Sequence, residues 1–236
     1  MRAIHRFLLA RLFYPAAAAS ALAVLLLAGR VLMYGPGFTF LVWNLFLAWL
    51  PYLAALGAGR IAAGHCGRVG ARRGAACCAP PAPHLRPYAL AVVGGLWLLF
   101  LPNAPYIMTD FVHLPGMRFV WWYDLGVLLA FAWAGCMLGV ASLHIMRGLV
   151  RDRLGAAASW AFVLLCVGLS GVGIYLGRFL RWNSWDLLTS PRSLARELLA
   201  VLSTPEAYPR LIGVSGLFAC FLLLGYLTLD SARRAR

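Results

Sequence analysis

Long apolar runs separated by short polar stretches dominate the chain. Their spacing predicts six membrane-crossing helices at about 13–33, 38–58, 88–108, 120–146, 156–177 and 211–229. A helix rises about 1.5 Å per residue, so roughly 20 apolar residues cross the hydrocarbon of a bilayer, and each run is close to that length. The runs are continuous rather than alternating, which excludes a β-barrel. The first run follows Met-Arg-Ala-Ile-His-Arg and imitates a signal peptide. No small-x-small cleavage site follows Leu25-Leu26-Leu27, so an uncleaved first helix is expected. Between the last two runs, Ser190-Pro191 opens a short helix over 191–203 on which Leu194, Leu198, Val201 and Leu202 share a face. That pattern suits a helix lying on the membrane surface. The predicted fold is therefore all-α: a single membrane domain over 1–236, built as a bundle of six transmembrane helices with one outer-surface amphipathic helix.

Two apolar runs break in an unusual way. Residues 98–113, Leu-Leu-Phe-Leu-Pro-Asn-Ala-Pro-Tyr-Ile-Met-Thr-Asp-Phe-Val-His, meet two prolines and then deliver Asn103, Asp110 and His113. A second cassette, Gly-Arg-Phe-Leu-Arg-Trp-Asn-Ser-Trp-Asp at 177–186, closes the fifth run. Polar side chains and broken backbone are costly in lipid, so two such breaks suggest one shared site.

Composition supports the membrane assignment and adds an orientation. With 63% hydrophobic and 12% charged residues and a mean hydropathy of +0.81, the chain is too apolar for a soluble domain. Its net charge of +14 comes from 21 basic residues, all of them arginine. They flank the apolar runs, which argues for orientation in a bilayer rather than for nucleic-acid binding. Arg2, Arg6 and Arg11, the loop at 59–87 (Arg60, Arg68, Arg72, Arg73, Arg86), the loop at 147–155 (Arg147, Arg151, Arg153) and the tail (Arg233, Arg234, Arg236) fall on one side. The positive-inside rule makes that side cytoplasmic, with both termini inside. The outer side receives Arg30, Arg118 and a loop at 178–210 that runs against the rule, with Arg178, Arg181, Arg192, Arg196 and Arg210. Trp121, Trp122 and Tyr123, and Trp182 with Trp185, form aromatic belts at the same level.

This topology brings Asn44, Asn103, Asp110, His113, Asp124, Arg178, Arg181, Asn183 and Asp186 to the outer leaflet, and no comparable set to the inner one. Asp110, His113, Asp124 and Asp186 are the candidate acids and bases; Asn44, Asn103, Arg178, Arg181 and Asn183 are the candidate ligand-binding residues. Asp110-x-x-His113 suits an acid–base pair or two metal ligands, and equally a capping Asp beside an interfacial His. Arg178 and Arg181 suit a phosphate or carboxylate clamp, and equally snorkelling or pairing with Asp110, Asp124 and Asp186. Asp124 at a helix start is also favoured by the helix dipole alone. Pro102 and Pro105, if helical, free the carbonyls of Leu98 and Leu101, either as a ligand-presenting break or as a kink that Asn103 caps. Gly135 with Gly139, and Gly173 with Gly177, have a spacing that lets backbones approach closely. Cys66, Cys77 and Cys78 beside His65 and His84 match no standard zinc spacing, so no metal site is expected. Cys136, Cys166 and Cys220 lie inside runs and read as packing residues, and no outer disulfide is expected. No nucleotide, zinc-protease or nucleophile-elbow motif is present, and no cofactor is indicated.

Leu101-Pro102-Asn103-Ala104-Pro105-Tyr106-Ile107, with Thr109-Asp110, His113-Leu114 and Trp122-Tyr123-Asp124, resembles the central signature of the bacterial family catalogued as domain of unknown function 1361. Residues 177–186 resemble its second signature, and Trp43-Asn44-Leu45 is also similar; the resemblance spans roughly 35–230, apart from the basic loop at 59–87. It implies a multi-pass bacterial membrane protein and no particular activity; with the arginine-rich side cytoplasmic, the expected location is the inner membrane. Three functions stay open: a binding or transport component for a small polar or anionic ligand at the outer face, an enzyme acting there on a lipid or lipid-linked substrate, and a scaffold for a partner membrane protein.

Overall fold

The computed structural model describes residues 2–63, 84–116 and 121–234. His65, Cys66, Cys77 and Cys78, and with them the zinc question, lie outside the described residues, as do Arg68, Arg72, Arg73 and Arg118. Every regular element described is helical. In order these are α1 (Arg2–Tyr34), α2 (Phe40–Ala63), α3 (Arg86–Phe100), the single turn α4 (Asn103–Tyr106), a 3-10 stretch (Ile107–Gly116), α5 (Trp121–Phe179), the single turn α6 (Asp186–Thr189), α7 (Pro191–Leu202), a 3-10 turn (Pro205–Ala207) and α8 (Tyr208–Arg234).

Five helical segments are long and apolar enough to cross a membrane. The difference from the six expected lies in α5, which runs through both the fourth and fifth apolar stretches. A straight helix of 59 residues would extend roughly 90 Å, about three hydrocarbon thicknesses. Gly155 breaks it with φ 84° and ψ −179°, a conformation that glycine adopts without a Cβ penalty. Across that break the Arg147 Nε lies 3.4 Å from the Ser159 Oγ, and its guanidinium carbon sits 4.0 Å from the Trp160 ring centre. The limbs 121–154 and 156–179 therefore double back on each other.

The bundle packs through small residues. Ala16, Ala23, Ala48, Ala134 and Ala141 are buried in one core with Tyr52, Ile107 and Phe131, joining α1, α2, the broken segment and the first limb. A second core joins α3, both limbs and α8 around Trp97, Leu143, Val163, Leu222 and Tyr226. Helices in lipid gain nothing from hiding leucine, so close contact between small residues supplies the association. Large apolar side chains accordingly point outward, Leu25 at 69%, Leu32 at 86% and Leu224 at 62% exposure, on helices of crossing length where lipid and not water meets them.

The four spaced glycines serve this packing, and the neighbour that comes nearest each of them is the broken segment. A Cβ at Gly135 would overlap the Ala104 carbonyl, and one at Gly139 would lie 3.1 Å from the Ala104 Cβ. On the second limb, a Cβ at Gly173 would meet Pro102 at 2.6 Å and one at Gly177 would meet Tyr106 at 3.2 Å. The Pro-Asn-Ala-Pro turn is thus seated between the two limbs of α5.

Candidate functional site

The site begins with the backbone of that turn. The last bonds of α3 run from the Leu101 N–H to the Trp97 carbonyl at 2.9 Å. Pro102 then has no N–H to give, and the chain tightens so that the Ala104 N–H donates to Leu101 at 3.2 Å. This leaves the Phe100 carbonyl without the Ala104 amide, and Asn103 Nδ2 supplies the missing donor at 3.1 Å. The same amide nitrogen donates to Ser184 Oγ at 2.9 Å, joining the first cassette to the second. The Leu101 and Phe100 carbonyls are thereby satisfied within the protein, so at these two groups the break is a capped kink and not a bare ligand-presenting end.

Past the kink the chain continues as a 3-10 helix, in which residues three apart eclipse. Asp110 and His113 therefore stack on one face, and both meet Arg178 from the end of α5. Asp110 is buried, with 2% of its side chain exposed. Its Oδ2 accepts from Asn44 Nδ2 of α2 at 2.9 Å, and its Oδ1 pairs with Arg178 Nη1 at 3.4 Å. Arg178 Nη2 lies 3.5 Å from His113 Nε2. A guanidinium has only donors, so a hydrogen bond at this contact needs the ring nitrogen as acceptor. His113 is exposed, with its ring packed edge-on against Phe40 at 5.3 Å. The 3-10 stretch thus holds a half-buried guanidinium of α5 through Asp110 and His113, and α2 holds Asp110 in turn through Asn44.

The remaining candidates divide. Arg181 is exposed, holds a left-handed backbone at φ 58° and has no side-chain hydrogen bond or ion pair among the described residues. Asn183 and Asp186 bond to each other: Asp186 Oδ2 accepts the Asn183 backbone N–H at 2.7 Å and its Nδ2 at 3.3 Å. They cap a local turn and do not join the Asp110–Arg178 pair. Trp182 Nε1 donates to Glu197 Oε2 at 2.6 Å, tying this turn to α7. Asp124 is fully buried in a different contact, its Oδ1 3.0 Å from Arg30 Nε. Arg30 also donates from Nη1 to the Gly35 carbonyl at 2.8 Å and lies 5.3 Å from the Phe38 ring centre. The second oxygen of Asp124 is buried and has no hydrogen-bond partner among the described residues.

The other end of the bundle corrects the expectation that no polar set gathers there. Arg147, read as a loop charge, is buried within α5. Its Nη1 donates to the Tyr226 hydroxyl at 2.6 Å and pairs with Asp230 Oδ1 at 3.2 Å, while the guanidinium carbon stacks on Trp160 and Nε faces Ser159. A signal for this was present. Of the seven acidic residues, Asp110, Asp124 and Asp230 are those within or bordering apolar runs, and each takes an arginine. A carboxylate near lipid is stable only with a cation beside it.

No curated protein and no solved structure matches the chain. The family described as Protein of unknown function (DUF1361) matches residues 43–224. That range contains Asn44, Asp110, His113 and Arg178 entire, whereas Arg30 and Asp230, the partners of Asp124 and Arg147, fall outside it. Matched over most of its length, with the paired cassettes inside the match, the chain belongs to the DUF1361 family.

Proposed function

We propose that the chain crosses the cytoplasmic membrane of a bacterium six times, the two limbs of α5 each making one crossing, with both termini cytoplasmic. The arginine distribution supports this orientation. On the outer face, the Arg178 cluster then serves a binding or transport component that recognises a small polar or anionic ligand. The observation that carries this reading is the placement of Arg178: Asp110 and His113 meet its guanidinium at the two terminal nitrogens, at 21% exposure, with exposed Arg181 three residues on in the chain. One acid neutralises one arginine, and the second arginine keeps its charge. A guanidinium held in place recognises carboxylate or phosphate with little further ordering.

Acid–base catalysis is the weaker reading because the carboxylates are engaged. Both oxygens of Asp110 hold partners, Asp186 caps its own turn and Asp124 is sealed with Arg30. Native mass spectrometry of the purified protein tests the proposal. The wild type should carry an anionic molecule that the Arg178→Gln/Arg181→Gln variant loses. A wild type that carries no such molecule and instead co-purifies with another polypeptide would favour the scaffold and refute the binding reading.

A further inference from the structure

Resting on that anion-binding reading, we infer that the anion is a lipid phosphate, met at the bilayer surface by the segment 185–202. The first observation is an apolar shelf on a part of the chain that is not a crossing helix. Trp185 is 38% exposed, Leu187 49%, Leu188 69%, Leu199 62% and Leu202 46%. At 100° per residue, Leu194, Leu198 and Val201 form the flank of α7 turned to the protein, where Leu194 is buried and the other two half-buried. Leu202 and Leu199 form the next flank, and Arg192 and Arg196 the one after it. An exposed apolar flank bordered directly by arginine is the arrangement of a helix lying in the headgroup region. The arginine stems follow the apolar surface while their heads reach the phosphates.

The second observation is the charge of this rim. Arg181, Arg192 and Arg196 are exposed. Arg210 adds a fourth guanidinium, 5.8 Å from the Phe179 ring centre beside the end of α5. Two of the three acids in the loop are already engaged, Asp186 with Asn183 and Glu197 with Trp182. A shallow depression lined by Thr189, Ser190, Arg192, Ser193 and Arg196 places hydroxyl and guanidinium donors together. A soluble anion would need these donors but not the leucine shelf. Acyl chains under a phosphate account for both. The Trp182–Glu197 bond ties α7 to the turn that follows α5, and Arg210 against Phe179 marks the same end of α5, the end that carries Arg178.

The test uses the full chain with two readouts. First, spin labels are placed at Leu188→Cys, Leu199→Cys and Ser193→Cys, with the six native cysteines changed to alanine, in nanodiscs of phosphatidylcholine and phosphatidylglycerol. Labels at 188 and 199 should collide with oxygen and be shielded from a water-soluble nickel chelate; the label at 193 should show the reverse. Second, native mass spectrometry follows retention of phosphatidylglycerol against phosphatidylcholine. Arg192→Gln/Arg196→Gln should lower the preference for phosphatidylglycerol by about thirtyfold, each surface arginine contributing about fivefold. If sodium phosphate is retained in an Arg178-dependent way with no lipid preference, the lipid inference fails and the anion-binding reading stands. If neither phosphate nor phosphatidylglycerol depends on Arg178, Arg192 or Arg196, both fail. Labels at 188 and 199 that report water, or immobilisation against another protein, would also overturn the inference.

Discussion

Replacing Arg30 with methionine isolates the buried pair it forms with Asp124. In the wild type, Asp124 is 0% exposed and, among the described residues, draws one donor, Arg30 Nε at 3.0 Å, while its second oxygen has none. Arg30→Met keeps much of the side-chain volume and leaves a buried carboxylate with no donor on either oxygen. Removing one partner of a buried pair costs about 3–5 kcal/mol. The lower end applies here, because the denatured state in a micelle retains helices whose polar groups find partners of their own. Removing both charges should have a different result. Apolar replacement of an incompletely bonded pair is commonly neutral, so Arg30→Met/Asp124→Leu should lie within about 1 kcal/mol of wild type. The assay is reversible unfolding in mixed micelles with increasing sodium dodecyl sulfate, followed by tryptophan fluorescence and extrapolated linearly. The double variant should also keep the co-purifying anion, since this pair is distinct from the Asp110–Arg178 cluster. If Arg30→Met is as stable as wild type, or the double variant is as unstable as the single, the ion-pair account of Asp124 is wrong.

Three further outcomes follow from the packing and the topology. Gly135→Leu should lower stability by about 1–3 kcal/mol through overpacking, because its Cβ would overlap the Ala104 carbonyl and lie 3.0 Å from Ile107 Cδ1; Gly148→Ala, with open space around it, should leave the thermal midpoint unchanged or raise it. Arg147→Ala takes the guanidinium from Asp230, 3.2 Å away, and should cost about 3–5 kcal/mol. Tyr226→Phe, which removes only the hydroxyl bonded to that charge, should cost about 1.5–3 kcal/mol, and the order of the two in thermal melts checks the assignment. Reporter fusions at residues 75 and 205 should report opposite compartments, and fusions at 75 and 155 the same one; any other pattern contradicts six crossings.

The sequence by itself determined where helices form and where they fail. Transfer of an apolar window into lipid depends on the residues inside that window, so length and composition place α1, α2, α3 and α8 without knowledge of their neighbours. The same local logic marked the Pro102–Pro105 break, the helix start at Ser190-Pro191 and the two polar cassettes. It also showed that the cassettes emerge at one end, because alternate crossings reverse direction. Only the tertiary structure decided which charge meets which. Asp110 takes Arg178 and not Arg181, though the two arginines are three residues apart, because α5 ends at Phe179 and Arg181 lies beyond it in a left-handed backbone, off the helical repeat that would stack the two. Asp124 takes Arg30, and Asp230 takes Arg147, across separations of 94 and 83 residues. No window of sequence contains such a pair. The spaced glycines show the same division: their spacing announced a close approach, but only the packed bundle showed that the broken turn at 102–106 lies against them. Ion pairing and close packing depend on distances between elements, and those distances are fixed when the helices assemble.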